Sequence, residues 1–406
     1  MTSILIAPRR YVQGRGVLGE IGEYLAPLGR RPLVLWDDVV KDIVGDTVAA
    51  SLSAADLEMV DVAFAGETTH TEADRVAGIV REKDVDVVVG IGGGKCLDTA
   101  KGAAVATERR IATCPTIASN DSPTSAASVW YSEDGDFLGF DCWPANPALV
   151  LVDTQVIAGA PVRTLVAGMG DALSTWVETQ AAMRTRALNL AGGVPTEAAV
   201  AIARLCFDML MQWGVEAKRA AETGVVTPAL ERIVEANVLL SGLGFESGGL
   251  ATAHMIGNLL TGVPECHGLM HGEKVAFGVA SQLCLDPDVP AAEVHAILDW
   301  CIAVGLPVTL AALNLEGVAR DRLMPIGEAC AGEGSLCANH AFEVTAEGVV
   351  DAMLAADAPR RERQGLPAYR GGPGVPPPGK CTGGQAASGT RREGTHGRAR
   401  HALSEV

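Results

Sequence analysis

A strand-like apolar run ends at residue 91 and leads into three consecutive glycines, Gly92-Gly93-Gly94, which Lys95 follows. Because glycine lacks a Cβ atom, it adopts positive φ and lets backbone N–H groups come close to a phosphate. A helix that starts near Lys95 would point its first N–H groups and its positive dipole end at the same anion, and the ammonium would add a point charge. The stretch predicts a pyrophosphate cradle. It matches neither G-x-G-x-x-G nor G-x-x-x-x-G-K-[ST], so a plain strand-to-helix turn is the alternative.

Composition limits the partners of such a site. The chain has 406 residues, 48% of them apolar, and a net charge of −17. A body this acidic repels nucleic acids and anionic membrane surfaces, so a neutral or cationic small molecule is the expected partner. No run reaches the roughly 18 apolar residues of a membrane helix, and no export segment is evident. The ten cysteines show no C-x-x-C pairs, which is typical of reduced thiols in a cytoplasmic protein.

The elements that must position the cradle alternate between two patterns up to about residue 160. Helical patterns such as 39–52 and 71–82 separate apolar β-type runs at 32–36, 59–64, 85–89, 111–114 and 148–152. This alternation predicts a parallel sheet wrapped by helices. We expect an α/β nucleotide-binding domain over residues 1–160.

Beyond Pro161 the pattern is helical throughout. Gly or Pro breaks separate segments with helical periodicity at 163–191, 196–211, 228–241, 250–262, 273–283, 291–303 and 345–356. An all-helical domain is therefore predicted over residues 161–358.

The last 48 residues differ from the rest of the chain. Residues 359–406 hold six prolines and ten glycines, with nine Lys or Arg against three Asp or Glu. Such a composition cannot bury a packed core, so a disordered basic tail is predicted. A solvated extension without function is favoured over a binding role.

Five motifs in chain order carry a resemblance to a known family. They are GGGKCLDTAK at 92–101, PTIASNDSP at 115–123, GDAL at 170–173, GFESGG at 244–249 and HGEKVAFG at 271–278. The chain resembles the glycerol dehydrogenase branch of the iron-containing alcohol dehydrogenase superfamily, over about residues 7–358. The resemblance implies an oxidoreductase that uses NAD and a divalent metal to oxidise glycerol or a related vicinal diol to the hydroxyketone, and to run the reverse reduction.

The resemblance places the metal ligands at Asp171, His254 and His271. Two imidazoles and a carboxylate suit zinc and leave a fourth position open for a substrate oxygen. Gaps of 83 and 17 residues match no local metal motif. Without the family, Asp171 after Gly170 would be interpreted as a helix N-cap, His254 as a core histidine and His271 as a polar loop residue.

The identity of the metal follows from one substitution. Iron-using relatives carry a further histidine one helical turn after the aspartate, and here that position is Thr175. Zinc is therefore expected, with Fe²⁺ as the alternative. His267, four residues before His271, is expected to line the pocket rather than bind the metal.

The resemblance also assigns the cofactor residues. An acid at Asp37, directly after a strand, can accept a hydrogen bond from the adenosine ribose and would repel a 2′-phosphate, which favours NAD over NADP. A plain solvated acid is its alternative, and an ion pair with Lys101 is the alternative for Asp98. The hydroxyls of Thr116, Ser119, Ser125 and Tyr131 are expected around the nicotinamide and its ribose. The complete set is Asp37, Gly93, Gly94, Lys95, Asp98, Thr116, Ser119, Ser125 and Tyr131.

On the substrate side, Asp121 resembles the family's substrate-contacting aspartate, and a loop-turn aspartate is the alternative. Gly257, Asn120 and the pair Leu269-Met270 depart from the family pattern near the pocket. The preferred polyol or hydroxyketone is therefore expected to have drifted from glycerol. The family also implies a homo-oligomer, a large ring such as an octamer.

Two other functions compete with this interpretation. One is a metal- and NAD-dependent cyclase or polyol-phosphate dehydrogenase of the dehydroquinate synthase-like superfamily, and the other is a redox-sensing nucleotide-binding protein without catalysis. Phosphorylated substrates need cations. Between residues 111 and 278 the chain has only eight Lys or Arg, and of these only Lys274 lies near the stretch from His254 to His271.

Overall fold

A six-stranded, all-parallel sheet forms the first half of the protein. The computed structural model describes residues 1–357, so the predicted tail at 359–406 lies outside the described residues. Its strands are β1 Tyr11–Gly14, β2 Pro32–Trp36, β3 Val60–Ala63, β4 Val87–Gly92, β5 Arg110–Pro115 and β8 Leu149–Asp153. Across the sheet they follow the spatial order β1-β8-β5-β4-β2-β3. All five predicted strands are therefore present, and β1 is an addition that the sequence pattern did not reveal.

Helices cover both faces of the sheet because each central strand is apolar on both sides. On one face, α1 (Ile21–Leu25) and α2 (Asp38–Ala54) pack around the buried Trp36. On the other face, α3 (His70–Glu82) and α4 (Gly94–Ala106) cover a second core. The prediction of a parallel sheet wrapped by helices is confirmed.

The strand order reverses between β2 and β4. From β2 the chain moves outward to β3, returns to β4 on the other side of β2, and then continues to β5. Crevices outside the carboxyl ends of the strands at such a reversal are where α/β sheets bind ligands. Asp37 follows β2 and Gly93 follows β4, so the predicted cofactor residues flank this reversal.

A two-stranded antiparallel hairpin stands apart from the sheet. It consists of β6 Ala127–Tyr131 and β7 Phe137–Cys142. Trp130 anchors it to α4, since a Cβ at Gly102 would lie 2.6 Å from the Trp130 ring, and the ring also stacks on His70. The hairpin was not predicted because β7 alternates between half-buried and exposed residues and has no apolar run.

The second half is helical, as predicted. Its elements are α5 Thr154–Gly159, α6 Val162–Thr185, α7 Glu197–Glu222, α8 Pro228–Glu235, a π-helical turn Ala236–Leu240, α9 Ser241–Gly248, α10 Thr252–Leu259, α11 His271–Leu285, α12 Ala291–Val304, α13 Arg320–Ala331 and α14 Ala346–Asp357. Helices α5, α9 and α13 were missed, and α7 runs eleven residues beyond its predicted end at 211. That residue 160 separates two domains stays a prediction.

Helix α7 is both long and apolar. By length and hydropathy alone, Glu197–Glu222 could cross a membrane. It also supplies Cys206, Phe207 and Leu210 to the core of the helical half. A core helix of a globular protein passes the same test, so this helix is weak evidence for a membrane.

Helices α6, α10 and α11 approach one another unusually closely. A Cβ at Gly272 would lie 1.8 Å from the carbonyl oxygen of Ala167 on α6, and one at Gly278 would lie 2.1 Å from that of Ala253 on α10. Only glycine fits at either position. The two contacts draw the three helices together around one point.

We therefore expect Gly272→Ala to destabilise the protein by about 3 kcal/mol, because the methyl group would have to displace backbone rather than a flexible side chain. Urea unfolding followed by circular dichroism measures the change. The matched control is Gly268→Ala, where a Cβ would meet open space, and we expect a change within about 0.5 kcal/mol. Equal stability of the two variants would contradict this account of the helix packing.

Candidate metal centre and dinucleotide cleft

Asp171, His254 and His271 meet at the point where these three helices converge. One ligand atom of each lies within 4.8 Å of the others. The Oδ1 atom of Asp171 is 3.5 Å from Nε2 of His254 and 3.3 Å from Nε2 of His271. Residues 83 and 17 positions apart in the chain thus form one cluster, as the family resemblance implies.

The cluster has the character of a cation site. Asp171 is completely buried in the middle of α6, and its Oδ1 atom accepts no hydrogen bond. A buried carboxylate oxygen without a donor is costly unless a cation compensates it. The residues present therefore fit a divalent metal. The N-cap interpretation of Asp171 is wrong, because α6 begins at Val162.

Glu178 orients His254 from behind. Its Oε2 atom is 2.5 Å from Nδ1 of His254, and its Oε1 atom accepts hydrogen bonds from the backbone N–H groups of Ala251 and His254. A carboxylate at Nδ1 fixes the tautomer that leaves Nε2 free to bind a metal. Sequence analysis missed Glu178, although it lies seven residues after Asp171 and so on the same helix face.

Electrostatics at the cluster favour positive charge. Burial alone would raise the pKa of Asp171, but the His271 and His254 imidazoles outweigh it and hold that pKa well below its usual range. Burial alone would lower the pKa of His254, and the Glu178 and Asp171 carboxylates outweigh it and raise that pKa. Two buried carboxylates thus attract a proton or a metal ion to the same place.

Asp121 lies at the mouth of this cluster. Its backbone N–H donates to Oδ2 of Asp171 at 3.3 Å, and Ser241 donates to its carboxylate at 3.4 Å. Burial, together with the nearby Asp171 carboxylate, raises the pKa of Asp121 well above its usual range. Asp121, His254 and His271 line one pocket, so the predicted catalytic residue faces the predicted metal ligands.

A cleft of about 520 Å³ adjoins this pocket along the edge of the sheet. Gly93 is the N-cap of α4 and Gly94 its first residue, as the predicted cradle requires. A Cβ at Gly94 would lie 2.5 Å from the Asn120 side chain. The cleft is also lined by Asp37, Ser119, Tyr131 and His267.

Asp37 has a second, structural role. It is the N-cap of α2, and its Oδ1 atom accepts a hydrogen bond from the backbone N–H of Val40 at 2.8 Å. The carboxylate still faces the cleft, so capping and ribose binding are compatible. Thr116 lies in an adjoining apolar groove of about 520 Å³, which the 69% exposed side chains of Val39 and Ile43 also line.

Lys95 does not offer the free charge that the sequence predicted. Its ammonium is 2.5 Å from the Glu67 carboxylate and lies over the Tyr131 ring, 5.0 Å from the centroid. The charge is therefore compensated within the protein. Sequence analysis could not anticipate this pair, because Glu67 lies 28 residues earlier in a loop.

Asp98 is held by a buried network. It pairs with Lys101 at 2.8 Å, which confirms the structural alternative, and it accepts hydrogen bonds from Ser122 Oγ at 2.6 Å and from the Val129 N–H at 3.0 Å. Lys101 in turn donates to the carbonyls of Ser122, Ser125 and Ala127. The network fixes the loop that follows Asp121, and Asp98 and Ser125 still line the pocket shared by Asp121, His254 and His271.

Glu246 holds the same loop from the opposite side. Its Oε2 atom accepts a hydrogen bond from the backbone N–H of Ala126 at 2.8 Å, and its Oε1 atom accepts one from Asn146. Burial outweighs these hydrogen bonds and raises the pKa of Glu246 to about 7. The loop is therefore clamped by a cation on one side and by an acid that titrates near neutrality on the other.

The structure shows where residues that depart from the family pattern lie. Thr175 is buried and its hydroxyl contacts Ser241 at 3.1 Å, so it offers no fourth ligand. Gly257 packs so closely against α11 that a Cβ would lie 2.8 Å from Val275. Leu269 and Met270 line the dinucleotide cleft.

Several known proteins are similar to this chain in sequence and in fold. The family model for iron-containing alcohol dehydrogenase matches residues 8–154. The chain is 46% identical over 357 residues to a glycerol dehydrogenase from Pseudomonas putida, covering 88% of this chain and 98% of that protein. It is 41% identical to a glycolaldehyde reductase from Halobacterium salinarum, with the same coverage. The crystal structure of a glycerol dehydrogenase from Schizosaccharomyces pombe matches with a TM-score of 0.86 and 36% identity, over 92% of this chain and 95% of that one.

These similarities and the three-ligand cluster place the protein in one class: the chain belongs to the iron-containing alcohol dehydrogenase family, and it is an oxidoreductase. Within that family, its similarity to glycerol dehydrogenases extends over almost their whole length. The resemblance stated from the five motifs is confirmed.

We expect Glu178→Gln to weaken zinc binding by about 10–100-fold, because the amide lacks the charge and has one acceptor oxygen, which cannot serve both Nδ1 of His254 and the backbone N–H groups that Glu178 also holds. Competition with a chelating dye measures the affinity. Glu216→Gln, an exposed acid on α7, is the control and should bind zinc as the wild type does. Unchanged affinity in Glu178→Gln would show that Glu178 does not orient the ligand.

A second prediction concerns pH and stability. Because the folded pKa of Glu246 lies above its ordinary value of 4.5, its contribution to stability is complete below about pH 4.5 and is lost as the pH rises through 7. From pH 5 to 8, the free energy of unfolding of Glu246→Gln should therefore rise relative to the wild type by about 2–3 kcal/mol. Urea titrations at each pH, with the exposed Glu333→Gln as control, measure it. A constant difference would contradict the raised pKa.

Proposed function

We propose that the protein catalyses the NAD-dependent and metal-dependent oxidation of glycerol or a related vicinal diol to the hydroxyketone, glycerol giving dihydroxyacetone, and the reverse reduction. One observation carries the proposal: the unpartnered Asp171 oxygen lies between two imidazoles whose pocket adjoins the triple-glycine cleft. Gly94, Lys95, Asn120, Tyr131 and His271 line both spaces. A metal-held substrate and a dinucleotide would therefore meet there. The family relatives named glycerol dehydrogenase support the same activity.

Asp171, His254 and His271 would hold the metal. A divalent metal at such ligands polarises a substrate hydroxyl and eases the loss of its proton. Zinc is the proposed ion because its three-ligand catalytic sites match this donor set, with Fe²⁺ as the alternative.

NAD is the proposed dinucleotide. Gly93 and Gly94 start α4 at the reversal of strand order, where backbone N–H groups and the helix dipole favour a pyrophosphate. The Asp37 carboxylate favours a free ribose hydroxyl over a 2′-phosphate, and the apolar groove beside Val39 and Thr116 suits an adenine ring. Of the four hydroxyls expected around the nicotinamide, Ser119, Ser125 and Tyr131 line the cleft or the pocket and are proposed to contact the nicotinamide half with Asp98, whereas Thr116 lies in the apolar groove instead.

Asp121 is the proposed acceptor for the substrate proton. Its carboxylate lies in the same pocket as the two imidazoles, and its raised pKa brings it closer to the pH at which a general base works well. The backbone N–H of Asp121 donates a hydrogen bond to Asp171, so the proposed base is held at a fixed position relative to the proposed metal ligand.

The substrate pocket suits a small uncharged molecule. Its polar end holds Asp121, His254 and His271, and its apolar wall is built from Leu190, Phe245, Leu250, Phe137 and Phe140. Among its described lining residues, Lys95 is the single lysine or arginine, and that charge is paired with Glu67. A phosphate would find no free cation, so a cyclase or polyol-phosphate dehydrogenase is not favoured.

Setting and assembly are also proposals. Cysteines such as Cys96, Cys114 and Cys206 in the described part of the chain are free, buried thiols, which supports a reducing cytoplasm. A homo-oligomer such as an octamer, without nucleic acid or membrane partners, is proposed from the family and the acidic body.

The test combines a substrate panel with metal removal. We expect NAD reduction at alkaline pH with glycerol, 1,2-propanediol or butanediol, and hydroxyacetone reduction in reverse. Dialysis against a chelator should abolish turnover, zinc should restore it, and NAD binding measured by calorimetry should persist in the metal-free protein. A metal-free protein that still turns over, or no reaction with any of these substrates, would refute the proposal.

A further inference from the structure

A second lysine faces the dinucleotide cleft. Lys274 lies three residues after His271 in the first turn of α11, and only 5% of its surface is exposed. It lines the cleft together with Gly93, Gly94 and Lys95. Within the part of the chain that the structure describes, its ammonium forms no hydrogen bond or ion pair. A buried lysine in this state is rare, because a desolvated charge needs a partner.

The neighbouring acid does not compensate it. Glu273, the adjacent residue, is bound by the Arg163 guanidinium through both oxygens at 2.6 Å and also accepts a hydrogen bond from the Met270 N–H. Burial lowers the pKa of Lys274, and the nearby Lys95 charge acts in the same direction, while Cys266 and the Glu273 carboxylate, which forms no ion pair with Lys274, oppose the shift without reversing it. An anion in the cleft would relieve both effects.

Lys95 and Lys274 therefore differ in one decisive respect. Both ammonium groups face the same cleft, but that of Lys95 is already paired with Glu67 and stacked on Tyr131. The acids that line the cleft, Asp37 at the N-cap of α2 and Asp134 in the turn of the hairpin, form no ion pair with Lys274. The available positive charge is thus on α11 and not on α4.

We propose that Lys274 is the residue that binds the pyrophosphate of the dinucleotide, opposite the N–H groups of the triple-glycine cradle, and that Lys95 is not. The inference rests on the proposed use of a dinucleotide. It has a further consequence, because α11 also carries His271. A cofactor held between Gly93 on one side and Lys274 on the other would fix the start of the helix that supplies a metal ligand.

The test measures binding in the zinc-loaded, full-length protein by calorimetry. Three ligands separate the contributions: NAD, ADP-ribose, which keeps the pyrophosphate but lacks nicotinamide, and adenosine, which lacks phosphate. We expect Lys274→Met to weaken NAD and ADP-ribose at least tenfold, since a charge-assisted hydrogen bond is lost. Adenosine binding should not change. The matched variant Lys95→Met should change all three less than threefold, and the salt dependence of NAD binding should flatten in Lys274→Met alone.

Chemical labelling of the wild-type protein provides a measurement that needs no variant. Acetic anhydride should modify Lys274 in the ligand-free protein, and saturating ADP-ribose should protect it, whereas the half-exposed Lys41 should react equally in both states. Mass spectrometry of the peptides gives the ratio.

The outcomes are distinguishable. Unchanged ADP-ribose affinity in Lys274→Met, a larger loss in Lys95→Met, or equal labelling of Lys274 with and without ADP-ribose would overturn the inference and leave the proposed function intact. A wild-type protein that binds neither NAD nor ADP-ribose would overturn both. Lys274→Arg, which keeps the charge, should restore most of the affinity that Lys274→Met loses.

Discussion

The buried carboxylate of Asp171 is the group on which the remaining features of the site depend. It is fully buried, and one of its oxygens has no donor but lies within 3.5 Å of two imidazole nitrogens. Such a buried charge is costly unless a protonated imidazole or a bound metal ion compensates it. Glu178 behind His254 and the N–H of Asp121 are oriented towards this one position. The capacity of this site to hold a metal ion therefore depends on the burial of the Asp171 carboxylate.

Close helix packing makes that burial possible. The ligands come from α6, α10 and α11, and these helices meet through glycines at 272 and 278 that leave no room for a methyl group. The proposed cofactor cleft has one wall at the sheet, at the reversal between β2 and β4, and another formed by His267, Met270 and Lys274 of the helical half. The first half of the chain thus supplies the N–H groups and the dipole of α4. The helical half supplies the close packing that holds the buried charges of the Asp171 cluster in place.

The sequence predicted the regular parts well because they depend on local patterns. Strand Pro32–Trp36 was located to the residue, and the glycine turn before α4 was recognised from its composition alone. Features that depend on tertiary contacts were missed: the pairing of Lys95 with Glu67, and the contact between Glu178 and His254. The Asp171 cluster was recognised only through the family resemblance. Its roles, like those of the cofactor residues, stay predictions until the experiments above are done.

The hairpin of β6 and β7 lines the pocket but carries none of the three residues of the Asp171 cluster. It belongs to neither the sheet nor the helical half, and it is fastened by Trp130 and by hydrogen bonds of Val129 and Ala127 to Asp98 and Lys101, yet Phe137 and Phe140 line the same pocket as Asp121 and His254. Its outer residues can therefore be exchanged without moving a ligand or a glycine contact. Replacing an exposed residue of this ribbon, such as Leu138, would thus leave the Asp171 cluster and the glycine contacts of the helices in place.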